Sequence, residues 1–526
     1  MVSRSMLLSN LNKMKNLILT RVTKPILAVL LTITFVFSSC EKYLDVNDDP
    51  DSILENPGIF LLPSIEISIS SGIGGMLALH GSLWAQYYNQ NNTANQYRTI
   101  IDMDIRADEI DQVWTEYYSS ALSDIQKLKE YSLATNTYNP RLFLIATVLE
   151  SYTFQVIFDV YGEAPYSEAL LGESAVYNPH FENGQDVYPQ LVLAIDNALS
   201  LYEEFNPDNS SALADLGSES NDKDYVFGGD MYSWVEFANS LKLKLAMRNL
   251  DFDQTWAMSV ITPMENAGVN YLSQDAALDI FQAEINKENP LFAQDQNLNT
   301  TINLVANRTL SEFLTNNGDP REPLFYKANS AGNNLLDHGD HKATTATNPV
   351  NSNRIPILDA TRPVYFMTTS EVDFFRSELV VKGLITGDAQ ALYNSAVQSA
   401  FERVGSTDAT ANTFLGVGDA YEFSSTAADQ LRDIGVQKWV AMANVNPYEG
   451  FLEVHRMDHP VIMPTTNYNP SPAPGNAGAA LYLPKNTVLG TDYIKRYLLS
   501  EGESLTNANF PTSQTKSTDR LWWDIN

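Results

Sequence analysis

The chain has 526 residues, of which 64 are Asp or Glu and 33 are Lys or Arg, a formal net charge of −31. So acidic a protein lacks the phosphate-neutralising surface that nucleic-acid binding needs, which argues against that class of partner. One cysteine excludes an intramolecular disulfide, so with 44% apolar residues the fold must rest on core burial alone.

The first 39 residues carry Arg4, Lys13, Lys15, Arg21 and Lys24, no acidic residue, and an apolar run of 12 residues at 26–37. A bilayer-spanning helix needs about 20 residues. Residues 1–39 therefore read as a secretory signal peptide, with Met14 as an alternative start, and no later segment is apolar enough to span a membrane. Phe37-Ser38-Ser39-Cys40 ends this segment as a lipobox does, with small residues before a cysteine whose thiol would be acylated. Several acyl chains, each contributing about 0.8 kcal/mol per buried methylene, would anchor the protein stably. Cleavage after Ser39, or a buried free cysteine, is the competing reading. Removal of the signal leaves 28 basic against 64 acidic residues, a mature charge of about −36.

Residues 40–56 are polar and aperiodic and read as a flexible tether; 57–526 are expected to form one intertwined domain, although length alone would suggest about three. In 109–133, Ile110, Val113, Trp114, Tyr117, Ala121, Ile125 and Leu128 recur at three- and four-residue spacing, predicting one buried helical stripe. Asn139-Pro140 opens a second helix that Gly162 closes, so the two form an antiparallel hairpin. The pattern returns in 187–205, with 232–250 as its expected partner, and in 370–382 and 389–403, the latter capped by Asp388. A last helix covers 427–443. Recurrent hairpins predict a mainly α fold of tetratricopeptide-like units, whose period is about 34 residues, with long irregular loops and a few short strands. The loops at 206–229, 291–363 and 463–484 are too long to be plain connectors and are expected to fold over the scaffold and build a ligand surface.

Six blocks in order then carry a resemblance. They are the lipobox, Asp159-Val160-Tyr161-Gly162-Glu163-Ala164-Pro165-Tyr166-Ser167-Glu168-Ala169-Leu170, Phe366-Met367-Thr368-Thr369-Ser370-Glu371-Val372, Gln437-Lys438-Trp439-Val440-Ala441, Leu481-Tyr482-Leu483-Pro484 and Arg520-Leu521-Trp522-Trp523-Asp524. Together they resemble the SusD/RagB family of outer-membrane lipoproteins. The resemblance implies a non-enzymatic, SusD-like nutrient-binding protein that lies as a lid on a SusC-like TonB-dependent transporter. By analogy with surface-export signals, the acidic residues behind Cys40 place it on the extracellular side of the outer membrane. The chain departs from the family pattern at 446–459, where Gly450-Phe451-Leu452-Glu453-Val454-His455-Arg456 replaces part of the usual sequence.

An oligosaccharide site wants aromatic plates beside amides, carboxylates or Arg. Residues 84–98 are the richest such stretch, with Trp84, Tyr88, Asn91, Tyr97 and Arg98 as candidates; Asn91, Tyr97 and Arg98 are expected to be the exposed ones. Trp84 and Tyr88 equally fit the buried stripe of a helix over 77–88. A second candidate is the loop carrying Asn289, Phe292, Gln294, Asn307 and Arg308. Peptides are the alternative ligand. A glycosidase would need two facing carboxylates, and Glu371, Asp373 and Glu378 read instead as solvated helix charges. His338 and His341, like His455 and His459, lack a third metal ligand and read as exposed polar loop. No phosphate loop, nucleophile elbow or dinucleotide fingerprint occurs, and no cofactor is expected. A lipid-anchored glycoside hydrolase and a peptide-binding scaffold are the competing functions.

Overall fold

The computed structural model describes residues 58–205, 223–297, 301–469, 472–513 and 515–525; the signal, Cys40 and the tether lie outside them. Two apolar helices open the described chain, α1 (Leu62–Gly74) and α2 (Met76–Trp84). Next come a short helix Asp111–Thr115, a π-helical turn Glu116–Leu122 and α3 (Ser123–Leu133). The predicted stripe from Ile110 to Leu128 is buried at every position. Helix α4 (Pro140–Tyr161) starts where Asn139 accepts from the Arg141 and Leu142 amides, and ends at Gly162, whose φ of 77° only glycine adopts readily. The later helices are α5 (Gly184–Phe205), α6 (Met231–Asn249), α7 (Gln254–Ala267), α8 (Pro290–Gln296), α9 (Arg308–Asn316), α10 (Thr369–Val381), α11 (Ala389–Arg403), α12 (Ala427–Met442) and α13 (Pro447–Met457).

The fold is mainly α and built of helical hairpins, as the periodicity predicts, but one pairing differs. Helix α5 packs chiefly on α4, and α6 pairs with α7 rather than with α5. The atypical 446–459 segment forms an intact helix, α13, capped by Asn446 and packed on both α12 and α2. Strands occur only as two-stranded ribbons among the described residues. Two of them position the site: β1 (Tyr88–Gln90) with β3 (Leu304–Ala306), and β2 (Ala276–Leu278) with β4 (Val364–Met367), both antiparallel. By length and composition, 58–84 and 140–161 could cross a membrane, contrary to the expectation that nothing after the signal could; but 89% of the apolar window in α4 is buried against other elements, where it serves as a core helix.

At the centre of the helical half lies a network of charged side chains, each at most 3% exposed. Lys244 bridges Glu371 and Glu449 at 3.0 and 2.9 Å, Arg248 joins Asp159, Glu449 and Glu453, Lys438 meets Glu453 at 2.9 Å, and Arg456 grips Glu378 and Glu453. Glu371 and Glu378 are therefore core residues and not solvated charges; only Asp373 of that trio is half-buried, accepting from Ser395 Oγ. A carboxylate survives burial only with such partners. Burial pushes the Glu378 carboxyl up, and the Arg456 guanidinium outweighs it, leaving a pKa of about 2. Four of the family-like blocks reach this network: Asp159, Glu371 and Lys438 each come from one, and Trp523 Nε1 from a fourth donates to Asp159 Oδ1 at 3.1 Å, beside Tyr188 Oη at 2.8 Å.

Candidate functional site

The residues singled out at 84–98 are mostly interior. Trp84 is the last residue of α2; its Nε1 donates to Ile100 O at 2.9 Å, and its ring lies against Phe451 and Tyr497. The helix expected over 77–88 stops there because Gln86 takes a φ of 62° and turns the chain into β1. Tyr88 thus sits in a strand, buried, with its hydroxyl donating to Asn444 Oδ1. The exposure expected of Asn91 and Tyr97 does not hold. Asn91 Nδ2 donates to Ile302 O while its Oδ1 accepts from Asn353, and the Tyr97 amide donates to Gln90 Oε1. Asn91 thus ties the β1 region to the 301–353 loops, while the Tyr97 hydroxyl donates to Asp295 Oδ1 of α8 at 3.3 Å. Arg98 is half-buried, donating to Ala94 O.

His338 and His341 are also buried, against expectation. His338 Nδ1 meets Asn307 Nδ2 and His341 Nε2 meets Asp102, each at 2.9 Å. His455 is buried too, 3.5 Å from Lys495 Nζ. No group of three potential metal ligands is gathered among the described residues. Arg308 pairs with Asp337 at 2.9 Å, and its guanidinium lies 5.6 Å from the Tyr468 ring.

Asn289 and Phe292 line a narrow recess beside α8, which adjoins a wider cleft of about 420 Å³ between β4, the end of α11 and the turn before α13. Arg362, Asn444 and Asp359 line both parts; Tyr365, Arg403 and Asp279 line the wider one. Each polar group is fixed locally. Asn289 caps α8 by accepting from the Leu291 and Phe292 amides, while its Nδ2 donates to Arg362 O at 2.9 Å. Asp359 Oδ1 accepts from both the amide and the hydroxyl of Thr361, and the Thr361 amide holds its carboxyl below the usual range. Arg403 clamps Asp275 bidentately at 2.6 and 2.8 Å and lies 5.9 Å from the Tyr365 ring centre. Burial raises the Tyr365 hydroxyl and Arg403 opposes that shift.

Asn444 is the least ordinary member. It adopts a φ of 61°, which asparagine tolerates better than most residues. Its Oδ1 is taken by the Tyr88 hydroxyl, whereas its Nδ2, though nine-tenths buried, has no partner among the described residues. A buried donor without an acceptor is costly, and this one belongs to a cleft wall. The cleft was missed in the sequence because segments from five parts of the chain build it. The one local signal was the amide-rich turn Asn444-Val445-Asn446 before Pro447.

A scaffold of helical hairpins carrying a loop-built cleft lined by a phenol, an amide and guanidinium groups defines a ligand-binding protein. The profile of the SusD-like family, described as starch-binding and associating with the outer membrane, matches residues 51–475, so the chain belongs to that family of carbohydrate-binding proteins. Its members are binding proteins rather than enzymes. A SusD-like protein from Bacteroidetes AC2a superposes with a TM-score of 0.70 at 18% identity, covering 90% of this chain and 100% of its own. A SusD homolog from Bacteroides uniformis gives 0.71 at 19%, covering 89% and 99%. A chitin-binding protein gives 0.68 at 17%, covering 88% and 100%. At these identities the likeness concerns the fold. No curated protein sequence matches the chain.

Proposed function

We propose that this protein binds an oligosaccharide in the cleft of Tyr365, Arg362 and Asn444 without cleaving it, and delivers it to a SusC-like TonB-dependent transporter. The observation that carries the reading is the cleft itself: a half-buried ring beside an unpaired carboxamide donor and a guanidinium suits the apolar faces and hydroxyl rims of sugars. The remaining candidates from the sequence, Trp84, Tyr88, Asn91, Tyr97, Arg98 and Arg308, act as supports for the loops around it. A glycan array followed by calorimetry, with the mixture analysed for products, tests this. Saturable binding with intact ligand is expected. Cleaved ligand would favour the lipid-anchored hydrolase, and binding of peptides alone would favour the scaffold reading.

In this reading, residues 1–39 direct export, Cys40 carries the acyl chains and residues 40–56 tether the single domain that follows to the extracellular face of the outer membrane. Labelled palmitate should enter the wild-type protein and not Cys40→Ser, and protease added to intact cells should degrade the wild type. Equal labelling of both chains would remove the anchor. Protection from protease would place the protein on the inner face.

A further inference from the structure

Helix α8 has a second cleft on its other flank. Leu291 and Phe292 belong to the recess already described, whereas Pro290, Ala293, Gln294 and Asn297 line a separate space of about 410 Å³. At 3.6 residues per turn these two sets lie on opposite sides of the helix. The far wall of the second cleft is built by the start of α2, the short helix Asp111–Thr115 and the first residue of the π-helical turn, through Met76, Gln112 and Glu116.

We propose that this second cleft takes a further, uncharged sugar residue of the same oligosaccharide, so that the ligand is gripped on both sides of α8. The inference rests on the carbohydrate reading of the first cleft. Three observations support it. The polar lining is dominated by carboxamides, with one carboxylate and no cation. Carboxamides donate and accept, as paired sugar hydroxyls require, while an anionic ligand would meet only Glu116. Second, Gln112 and Gln294 are free to turn to a ligand, whereas Asn297 Nδ2 already donates to Glu288 Oε1 at 3.3 Å. Gln112 is exposed and its side chain makes no hydrogen bond among the described residues; Gln294 Nε2 has only the weak acceptor Met76 Sδ at 3.4 Å. Third, the two clefts share walls: Gly74 faces one and Gly75 the other, at the break between α1 and α2. At the break the Val364 side chain packs directly on the Gly74 backbone, since a Cβ on Gly74 would lie 2.5 Å from Val364 Cγ2. The π-helical turn starting at Glu116 is a further departure of the kind that gathers at binding sites. A helix with its side chains is about 10 Å across, so reaching both clefts requires a ligand extended by roughly two sugar rings.

The test is affinity against chain length. The full chain is titrated with two-, four-, six- and eight-unit members of whichever array glycan binds, alongside Gln112→Ala/Gln294→Ala, the space-filling Gln112→Trp and Arg362→Ala. Wild-type affinity should rise at least about tenfold from the two-unit to the six-unit ligand. Both alterations of the second cleft should flatten that rise while keeping two-unit affinity and melting temperature, and Arg362→Ala should weaken every length. A flat wild-type curve, or a rise retained in both second-cleft variants, would overturn the second cleft alone. No binding of any glycan would overturn the carbohydrate reading, and this inference with it.

Discussion

Arg362 offers the cleft more donors than the protein uses. A guanidinium carries five N–H groups. Those of Arg362 reach Ile357 O at 3.1 Å and the Tyr88 hydroxyl, while the neighbouring Asp359 is engaged by Thr361. Replacing it with alanine should weaken glycan binding by about 1.5 to 3 kcal/mol, the usual worth of a charged hydrogen bond, with little change in unfolding free energy; calorimetry and urea titration check the two halves. Arg456 is the opposite kind of arginine. Arg456→Met would leave Glu378 and Glu453 buried without their main partner, and should cost about 3 to 5 kcal/mol in urea unfolding. Adding Glu378→Leu should return part of that loss. The distinction between these two guanidiniums is invisible in sequence, where each is an arginine with a carboxylate three positions before it.

At the scale of elements, what could be read was whatever has a period or a cap. Helices α3 to α5 and α10 to α12 stand where their apolar stripes and the Asn139 and Asp388 caps place them, because a core-facing stripe must repeat every turn. Pairing was less legible: α6 is apolar on several sides, and only the fold decides that α7 covers it. The loops gave least. In β1 and the segment after it, aromatic and amide residues that suit a sugar also suit bonds to distant backbone, and Asn91 and Tyr97 took the second course. Helix contacts still depend on single residues. A Cβ on Gly81 in α2 would lie 2.4 Å from Tyr448 N in α13. Gly81→Ala should therefore destabilise the protein by about 1 to 3 kcal/mol in thermal or urea unfolding, and weaken ligand binding by shifting the Asn444 turn.

For the whole molecule, the buried histidines set a response to acid. Burial holds His80, His338 and His455 at a pKa of about 3, against 6.5 in the unfolded chain. Below 6.5 the unfolded chain binds protons that the native one refuses, so their contribution is fully present above pH 6.5 and is lost as pH falls towards 3. At 1.36 kcal/mol per unit, the three together would withdraw roughly 6 kcal/mol by pH 5. Asp159 and Glu371, raised by burial, act in the opposite sense and return part of it. Unfolding free energy should therefore fall between pH 7 and 5, and His338→Gln should lower the slope by up to about one proton; a slope equal to that of the wild type would contradict this.

The contact of Trp523 with Asp159 spans 364 positions, and Trp522 Nε1 donates to Asn249 Oδ1 at 2.6 Å across 273. Such distant partners make the search for the native state slow, because loops must close before they are rewarded. The charged centre stays incomplete until residues 522 and 523 dock. A chain made from its amino end therefore holds its interior acids open to water and to chaperones until that distant segment has been made.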